Sequence, residues 1–226
     1  MESVQMKVIA HMRSDFPSKF GIPRQSGLVN TLHSTIIFEP EYRNADALRG
    51  LEDFSHLWII WQFSEAVRSN WSATVRPPRL GGNQRLGVFA TRSPFRPNNI
   101  GLSSVSILGI EHTEKDGPVI HVAGADLMDG TPIFDIKPYI PYADSHPNAI
   151  GGFTEHAKDY ILRVNCPAAL LDEMAPDKQE ALLEVLSHDP RPSYQKDPSR
   201  VYGMEFAEKN IRFQVQDDIL TVIDIQ

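Results

Sequence analysis

Short apolar runs, broken by glycine, proline, asparagine or aspartate, fill the first 125 residues and leave few folds open to this chain. The run VQMKVIAHMR (4–13) alternates apolar and polar side chains, as a strand with one buried face does. Further strands are predicted at STIIFE (34–39), HLWIIWQF (56–63), RLGVFAT (85–91), LSSVSILGI (102–110) and PVIHVAGA (118–125). Between them, NADALRGLE (44–52) is typical of one or two helical turns capped by Asn44. Because helices do not alternate regularly with the strands, we expect a mainly β protein with an N-terminal antiparallel β-barrel.

The pattern changes after about residue 150. CPAALLDEM (166–174) and PDKQEALLEVLSH (176–188) are predicted helices, and HAKDYILRVN (156–165) contains a candidate strand. VYGMEF (201–206), NIRFQV (210–215) and ILTVIDI (219–225) are separated by turns short enough for a meander. PYADSHPNAIGGF (141–153) has the proline, glycine and serine content of a linker. We therefore predict a barrel domain over residues 1–145 and a small α+β C-terminal domain over residues 155–226.

Several classes of protein are disfavoured by what the sequence lacks. The longest apolar run, HLWIIWQF, is far short of the roughly 18 residues that span a bilayer. The N-terminus shows no export signal, and Cys166, the sole cysteine, excludes an intrachain disulfide. The eight histidines do not fall at metal-ligand spacing. We expect a cytoplasmic protein that needs neither a membrane nor a metal.

Positive charge is concentrated in one segment of an acidic chain. The formal net charge is −7, yet residues 66–110 contain no Lys, Asp or Glu and therefore carry +6, all from arginine. Arginine suits planar, bidentate contacts with phosphate or carboxylate groups. Single arginines in such a block often pair with acids elsewhere in a fold. The block as a whole favours an anionic partner. Its members are Arg68, Arg76, Arg79, Arg85, Arg92 and Arg96.

Four stretches crowd proline, glycine and polar residues together without an obvious scaffold role. Prolines stiffen a loop and glycines allow close approach of a ligand, so such loops are suited to binding. One stretch alone would indicate only a turn. The usual nucleotide-binding and hydrolase signatures are absent from the sequence. The stretches are FGIPRQSGL (20–28), RPPRLGGNQRLGVF (76–89), TRSPFRPNNIGLS (91–103) and DLMDGTPIFDIKPYIP (126–141).

PRQSGL, RPPRLGG, GVFATRSPFRPNNIGLS and DGTPIFDIKPYIP, in this order, make the chain resemble the TsaA-like (YaeB-like) family. The resemblance covers residues 4–141 and continues more thinly through DPRPSY (189–194). One position departs from the family pattern R-P-N-P-I-G, because Asn99 replaces the second proline. The loss of that proline predicts a somewhat more flexible loop.

The resemblance implies a methyltransferase that binds S-adenosylmethionine (SAM) on a β-barrel and forms a homodimer, with the cofactor sites near the subunit interface. The implied reaction methylates N6 of adenosine 37 in the tRNA anticodon stem-loop, next to the anticodon, after that nitrogen already carries a threonylcarbamoyl group. Family cofactor contacts map onto Gln25, Ser26, Gly27, Leu28, Ser64, Glu65, Arg92, Leu102, Asp129, Gly130, Thr131 and Pro132. Phe95 and Leu102 are expected to supply an apolar wall.

A threonylcarbamoylated N6 resembles a urea nitrogen, so its lone pair is delocalised and a proton acceptor would help it react. Asp135 is the first candidate for a general base and Glu65 the second. Lys137 would share a strand face with Asp135, and the two form a structural ion pair in the alternative interpretation.

Phosphates of the tRNA would meet the exposed arginines, and unpaired bases would stack on aromatic rings. Trp58 and Trp61 are instead predicted to be core residues, and His56 a structural hydrogen-bonding residue. Candidate RNA contacts are Arg76, Arg79, Arg85, Arg96, Lys137, Tyr139, Arg191 and Tyr194. Arg191 and Tyr194 have the alternative role of tying the C-terminal domain together.

Two other functions stay open on the residues alone. The same loops would suit a non-catalytic SAM-binding or RNA-binding module, which predicts binding without turnover. They would also suit an enzyme acting on a small anionic metabolite, which predicts no dependence on RNA.

Overall fold

The computed structural model describes residues 3–68, 70–77, 84–156, 160–192, 195 and 197–226. Strands are β1 (Ala10–Arg13), β2 (His33–Phe38), β3 (His56–Gln62), β4 (Thr74–Val75), β5 (Leu86–Gly87), β6 (Ile100–Thr113), β7 (Gly117–Ala123), β8 (Pro132–Pro138), β9 (Arg163–Asn165), β10 (Tyr202–Phe206), β11 (Lys209–Gln216) and β12 (Ile219–Ile225). Helices are α1 (Pro141–Asp144), α2 (Ala168–Leu171) and α3 (Pro176–Ser187). Single 3-10 turns occupy Pro40–Tyr42, Ala45–Leu48, Leu51–Asp53, Ser64–Ala66, Val88–Ala90 and Gly152–His156.

Six strands pair antiparallel in the closed order β1-β2-β7-β6-β3-β8, which confirms the predicted mainly β fold. Their inward side chains form the first core, as the alternation along β3 shows: Leu57, Ile59 and Trp61 are buried, and the residues between them are not. The core prediction is therefore confirmed for Trp61. Trp58 is half-buried on the outer face instead, where its indole N–H donates to Asp144 Oδ2 at 3.0 Å.

Two predicted strands are shorter in the structure. The run 4–13 forms regular strand only from Ala10, where pairing with β2 and β8 begins. The run 85–91 gives only β5, which pairs with β4 outside the barrel. The chain then turns at once, because Thr91 donates through both its backbone N–H and its hydroxyl to the Val88 carbonyl oxygen. The predicted helical turn at 44–52 is confirmed, with the Asn44 side chain accepting from the Asp46 N–H.

The C-terminal part is a small α+β unit, as predicted. β10, β11 and β12 form an antiparallel meander, and β9 adds to β12 in parallel. One face of α3 packs on this sheet through Ala181, Leu182, Val185 and Leu186, all buried. The predicted linker holds α1 and the turn Gly152–His156.

The segment between β1 and β2 leaves the barrel and packs into the C-terminal core. Phe16, Val29 and Leu32 are buried there, and the ring centroids of Phe16 and Phe206 are 5.2 Å apart. Lys178 Nζ also lies 2.7 Å from Asp15 Oδ2. The C-terminal part therefore packs against and supports the segment that carries residues 20–28.

Candidate active site

A cleft of about 690 Å³ opens where β3 ends and β6 begins. Its size lies within the range of about 300–1,000 Å³ typical of small-molecule sites. Three further segments complete its walls: residues 19–25, residues 91–96 and residues 126–131. The lining includes Trp61, Phe63, Ser64, Glu65, Arg68, Gln25, Arg92, Phe95, Arg96, Leu102, Asp126 and Thr131.

A carboxylate that the sequence interpretation missed lies in this lining. Asp126 Oδ1 accepts a hydrogen bond of 2.5 Å from the Ser103 hydroxyl. Ser103 Oγ in turn accepts from the Trp61 indole N–H at 3.0 Å, and both residues are buried. Since the single hydroxyl proton of Ser103 is used towards Asp126, this chain fixes the orientation of the carboxylate.

Burial raises the pKa of the Asp126 carboxyl above its ordinary value, while the hydrogen bond from Ser103 and the charge of Arg92 act in the opposite direction. Keeping a carboxylate charged in such surroundings costs free energy. A cation that enters the cleft would offset much of that cost.

The Gln25 turn and the Arg92 loop meet at the cleft. The Arg92 guanidinium donates to Gln25 Oε1, and Gln25 Nε2 donates to the Arg24 carbonyl oxygen at 2.5 Å. The same turn is attached to the barrel, since Ser26 Oγ accepts from the Ser104 N–H at 3.2 Å. Hydrogen bonds thus hold two of the four predicted binding stretches side by side.

Half of the predicted cofactor contacts line the cleft and half support it. Gln25, Ser64, Glu65, Arg92, Leu102 and Thr131 are in the wall. Ser26, Gly27, Leu28, Asp129 and Gly130 lie in the adjoining turns, and Pro132 is the first residue of β8. Asp129 there accepts from the Ser14 N–H at 3.0 Å, and the Gly130 N–H donates to the Met12 carbonyl oxygen at 2.8 Å. These two bonds attach the second turn to the end of β1.

The two candidates for the general base, Glu65 and Asp135, lie in different surroundings. Glu65 lies exposed on the turn after β3 and lines the cleft. Asp135 does not line the cleft. It forms an ion pair with Lys137, with Oδ2 and Nζ 2.9 Å apart. A bulge between Ile60 and Trp61 shifts the β3–β8 register and pairs Asp135 with Ile60. The ion pair of the alternative interpretation is therefore present, on the outer face of the barrel and exposed to solvent.

The predicted RNA contacts lie in different surroundings. Arg76 and Arg85 are exposed, and Arg85 donates to Thr74 Oγ1 at 3.1 Å. Arg96 is half-buried, lines the cleft and donates to the Thr91 carbonyl oxygen at 2.9 Å. Lys137 is exposed on the outer face. Arg79 and Tyr194 lie outside the described residues.

The remaining two have packing roles. The Tyr139 ring packs 5.6 Å from Trp58, centroid to centroid. The expectation that Arg191 contacts RNA needs correction, because this residue is only 8% exposed. Its guanidinium donates twice to the Asp189 carboxylate, at 2.8 and 3.0 Å, and the Arg191 carbonyl accepts from Arg24 at 2.8 Å. Arg191 therefore ties the C-terminal part to residue 24 of the cleft.

Asn99, which replaces the proline of the family pattern, makes a hydrogen bond within the loop that the sequence analysis did not foresee. Its side-chain amide donates to the Pro94 carbonyl oxygen at 2.5 Å, which closes the 94–99 loop. Its own carbonyl oxygen accepts from the Phe63 N–H at 2.9 Å. The side-chain amide thus supplies a hydrogen bond across the loop that a proline could not make, whereas the bond from Phe63 uses the backbone carbonyl that a proline would also have.

Within the described ranges, no group of three or more His, Cys, Asp or Glu side chains is placed to hold a metal ion. In the same ranges, no helix has both the length and the apolar character needed to cross a membrane.

Comparisons with family models, curated relatives and solved structures agree on the family that this chain resembles. A model described as the tRNA-methyltransferase O N-terminal domain matches residues 11–145, and the TrmO C-terminal domain model matches residues 162–226. The chain is 41% identical over 225 residues to the tRNA (adenine(37)-N6)-methyltransferase of Escherichia coli K12, covering 96% of this chain and 95% of that protein.

A putative S-adenosylmethionine-dependent methyltransferase of Pseudomonas aeruginosa is 37% identical, with 96% of this chain and 95% of that protein covered. The crystal structure of TrmO from P. aeruginosa superposes with a TM-score of 0.81 at 32% identity, covering 100% of this chain and 98% of that one.

Proposed function

Because the chain belongs to the tRNA-methyltransferase O family, we propose that it transfers the methyl group of SAM to N6 of adenosine 37 in tRNA. The observation that carries this proposal is the lining of the cleft, where two carboxylates, several arginines and an apolar wall meet. This combination suits a cofactor with separate cationic, anionic and aromatic parts.

The residues present fit SAM. Its amino and sulfonium groups are cationic, and Asp126 offers them an oriented, poorly solvated carboxylate. Arg92 would hold its carboxylate, and Phe95 and Leu102 would offer an apolar wall to its adenine. When bound, SAM supplies an electrophilic methyl group, and the cleft has to align the acceptor nitrogen with it.

We assign the two cleft carboxylates different roles. Asp126 is held by Ser103 in half-buried surroundings, which suits a fixed partner for the cationic end of the cofactor. Glu65 is exposed on the turn at the cleft wall, which suits a group that accepts the N6 proton of an incoming base. Asp135 is not retained, since Lys137 already pairs with it on the outer face.

We further propose that the acceptor adenosine already carries a threonylcarbamoyl group. That group ends in a carboxylate, and Arg68 and Arg96 line the cleft with positive charge beyond what Arg92 provides. The modification also makes the N6 proton more acidic, so a carboxylate such as Glu65 is a sufficient acceptor.

We also propose that the chain acts in the cytoplasm as a homodimer whose subunit contact adjoins the cleft. Val67, Ile100 and Leu102 are 56, 37 and 53% exposed at the cleft, an apolar surface that a second copy would cover. Sedimentation velocity should show a dimer. A monomer at every accessible concentration would contradict this part of the proposal.

The proposed reaction is tested with isotopically labelled methyl on SAM and two tRNA pools, one carrying the threonylcarbamoyl group and one lacking it. Label in the modified pool alone supports both the reaction and its order. Equal label in both pools refutes the requirement for prior modification. Label in neither pool, with SAM bound, favours the alternative of a non-catalytic binding module.

A further inference from the structure

Two aromatic rings project from the surface next to the cleft. Trp71 is 50% exposed and Phe89 69% exposed, and their rings stack with centroids 5.9 Å apart and planes inclined by 21°. Neither ring was singled out by the sequence interpretation. Large aromatic side chains left in water are a feature of binding surfaces, because their apolar area is stabilised only when a partner covers it.

The backbone around both rings is fixed. β4 and β5 pair Thr74 with Gly87, and the Val88 N–H donates to the Ala73 carbonyl oxygen at 3.0 Å, so the two segments run side by side. The Ser72 N–H donates to the Phe95 carbonyl oxygen at 3.0 Å, which ties the same ribbon to the cleft loop. A partner would therefore meet a preorganised pair of rings and lose little conformational entropy on their account.

Two arginines adjoin the pair or its ribbon. The Arg96 guanidinium carbon lies 5.9 Å from the Phe89 ring centroid, and Arg85 donates to Thr74 Oγ1 of β4 at 3.1 Å. Residues 66–110 contain no acid at all. Stacked aromatic rings flanked by arginines match a polymer that offers flat π-faces on a polyanionic backbone, which is single-stranded nucleic acid.

A second copy of this chain would be a poorer partner for the same surface. A two-fold contact brings a patch against itself, so Arg85 and Arg96 would meet the same two arginines of the second copy without an acid from residues 66–110 between them. Charge complementarity therefore favours RNA over self-association here.

The position of the pair indicates which part of the RNA it meets. Phe95 and Arg96 line the cleft and also contact the ribbon that carries the rings. We propose that Trp71 and Phe89 form a stacking platform for an unpaired nucleotide beside the adenosine that enters the cleft. This inference rests on the proposed tRNA methyltransferase function and adds the surface that positions the substrate loop.

The test compares Trp71→Ala and Phe89→Ala with a matched aromatic control, Phe54→Ala. Phe54 is 38% exposed just before β3 begins, at the end of that strand opposite the cleft. Loss of one stacked base should weaken binding of the tRNA, and raise its KM, by about 5- to 150-fold. The SAM Kd and the thermal midpoint of both platform variants should match those of the wild type.

Two further readouts separate stacking from other roles. Trp71→Phe should recover most of the affinity, and the dependence of RNA affinity on salt should be unchanged in Trp71→Ala, because no charge is removed. The Phe54→Ala control should bind tRNA as the wild type does.

Unchanged tRNA affinity in both platform variants overturns the proposal while leaving the methyltransferase assignment intact. A shift of Trp71→Ala from dimer to monomer in sedimentation velocity also overturns it, in favour of a subunit contact. If the wild-type chain neither binds nor methylates tRNA, the proposed function fails and the platform fails with it.

Discussion

Replacement of Gly101 by alanine should disturb both the barrel core and the cleft. Gly101 lies opposite Trp61 in the β3–β6 ladder, and a Cβ there would be 2.2 Å from Trp61 Cε2, 2.5 Å from Cζ2 and 2.6 Å from Cδ2. The indole, only 6% exposed, would have to move by about an ångström to restore ordinary contact. Its hydrogen bond to Ser103 would be strained or lost.

The expected cost has two parts. Overpacking of a core costs about 1–3 kcal/mol, and a buried donor left without its partner costs about 1–3 kcal/mol more. We expect Gly101→Ala to lower the free energy of unfolding by about 2–6 kcal/mol, a large share of a typical total of about 5–15 kcal/mol. SAM affinity should fall as well, because the Trp61–Ser103–Asp126 chain orients the cleft carboxylate.

The assay is urea unfolding followed by tryptophan fluorescence, with SAM affinity measured by calorimetry. All three tryptophans lie between residues 58 and 71, so the fluorescence reports on the barrel part. Gly109→Ala on the same strand is the matched control, since an added Cβ there meets nothing within 4 Å. It should change stability by less than about 0.5 kcal/mol. Equal stability of the two variants would refute the packing explanation.

Three further changes test other parts of the site. Asp126→Asn should weaken SAM binding by about 10- to 150-fold. In the wild type, calorimetry should show SAM affinity falling as the pH drops through the raised pKa of Asp126, because the carboxylate loses its charge. The variant should lack this decline. Arg191→Ala should cost about 3–5 kcal/mol in urea unfolding because it leaves Asp189 buried without its partner, whereas Arg163→Ala, which breaks an exposed pair, should cost less than about 1 kcal/mol. Arg85→Gln should reduce the salt slope of tRNA binding by about one unit and leave the SAM Kd unchanged; an unaltered slope would remove Arg85 from the RNA contacts.

Local patterns were sufficient for much of the fold. Trp58 and Trp61 were both predicted to be core because the run 56–63 is apolar on both faces. Only one face of β3 is buried, so the argument holds for Trp61 and was wrong for Trp58. The run 85–91 was predicted wrongly because its apolar residues form a two-residue strand, paired with Thr74 and Val75, and then a tight turn closed by Thr91 on Val88. Such distant partners leave no mark in a local period.

The site depended still more on distant contacts. The sequence could not place Asp135 relative to the cleft, because its position on the outer face depends on a bulge in the β3–β8 pairing. Asp126 was one of three acids between residues 126 and 135, and its significance comes from Ser103, which is 23 residues away in sequence. Residues 66–110 were recognised as a basic, acid-free segment from the sequence. The exposure of Trp71 and Phe89 within it could not be inferred from charge and became visible only in the structure.

That the cleft at the end of the barrel holds the cofactor is tested most directly by a crystal structure of the chain with S-adenosylhomocysteine. We expect the ligand in the cleft, with its amino group within hydrogen-bonding distance of Asp126 and its adenine against Phe95 or Leu102. Ligand bound elsewhere on the chain, with this cleft filled only by solvent, would contradict the assignment of the site.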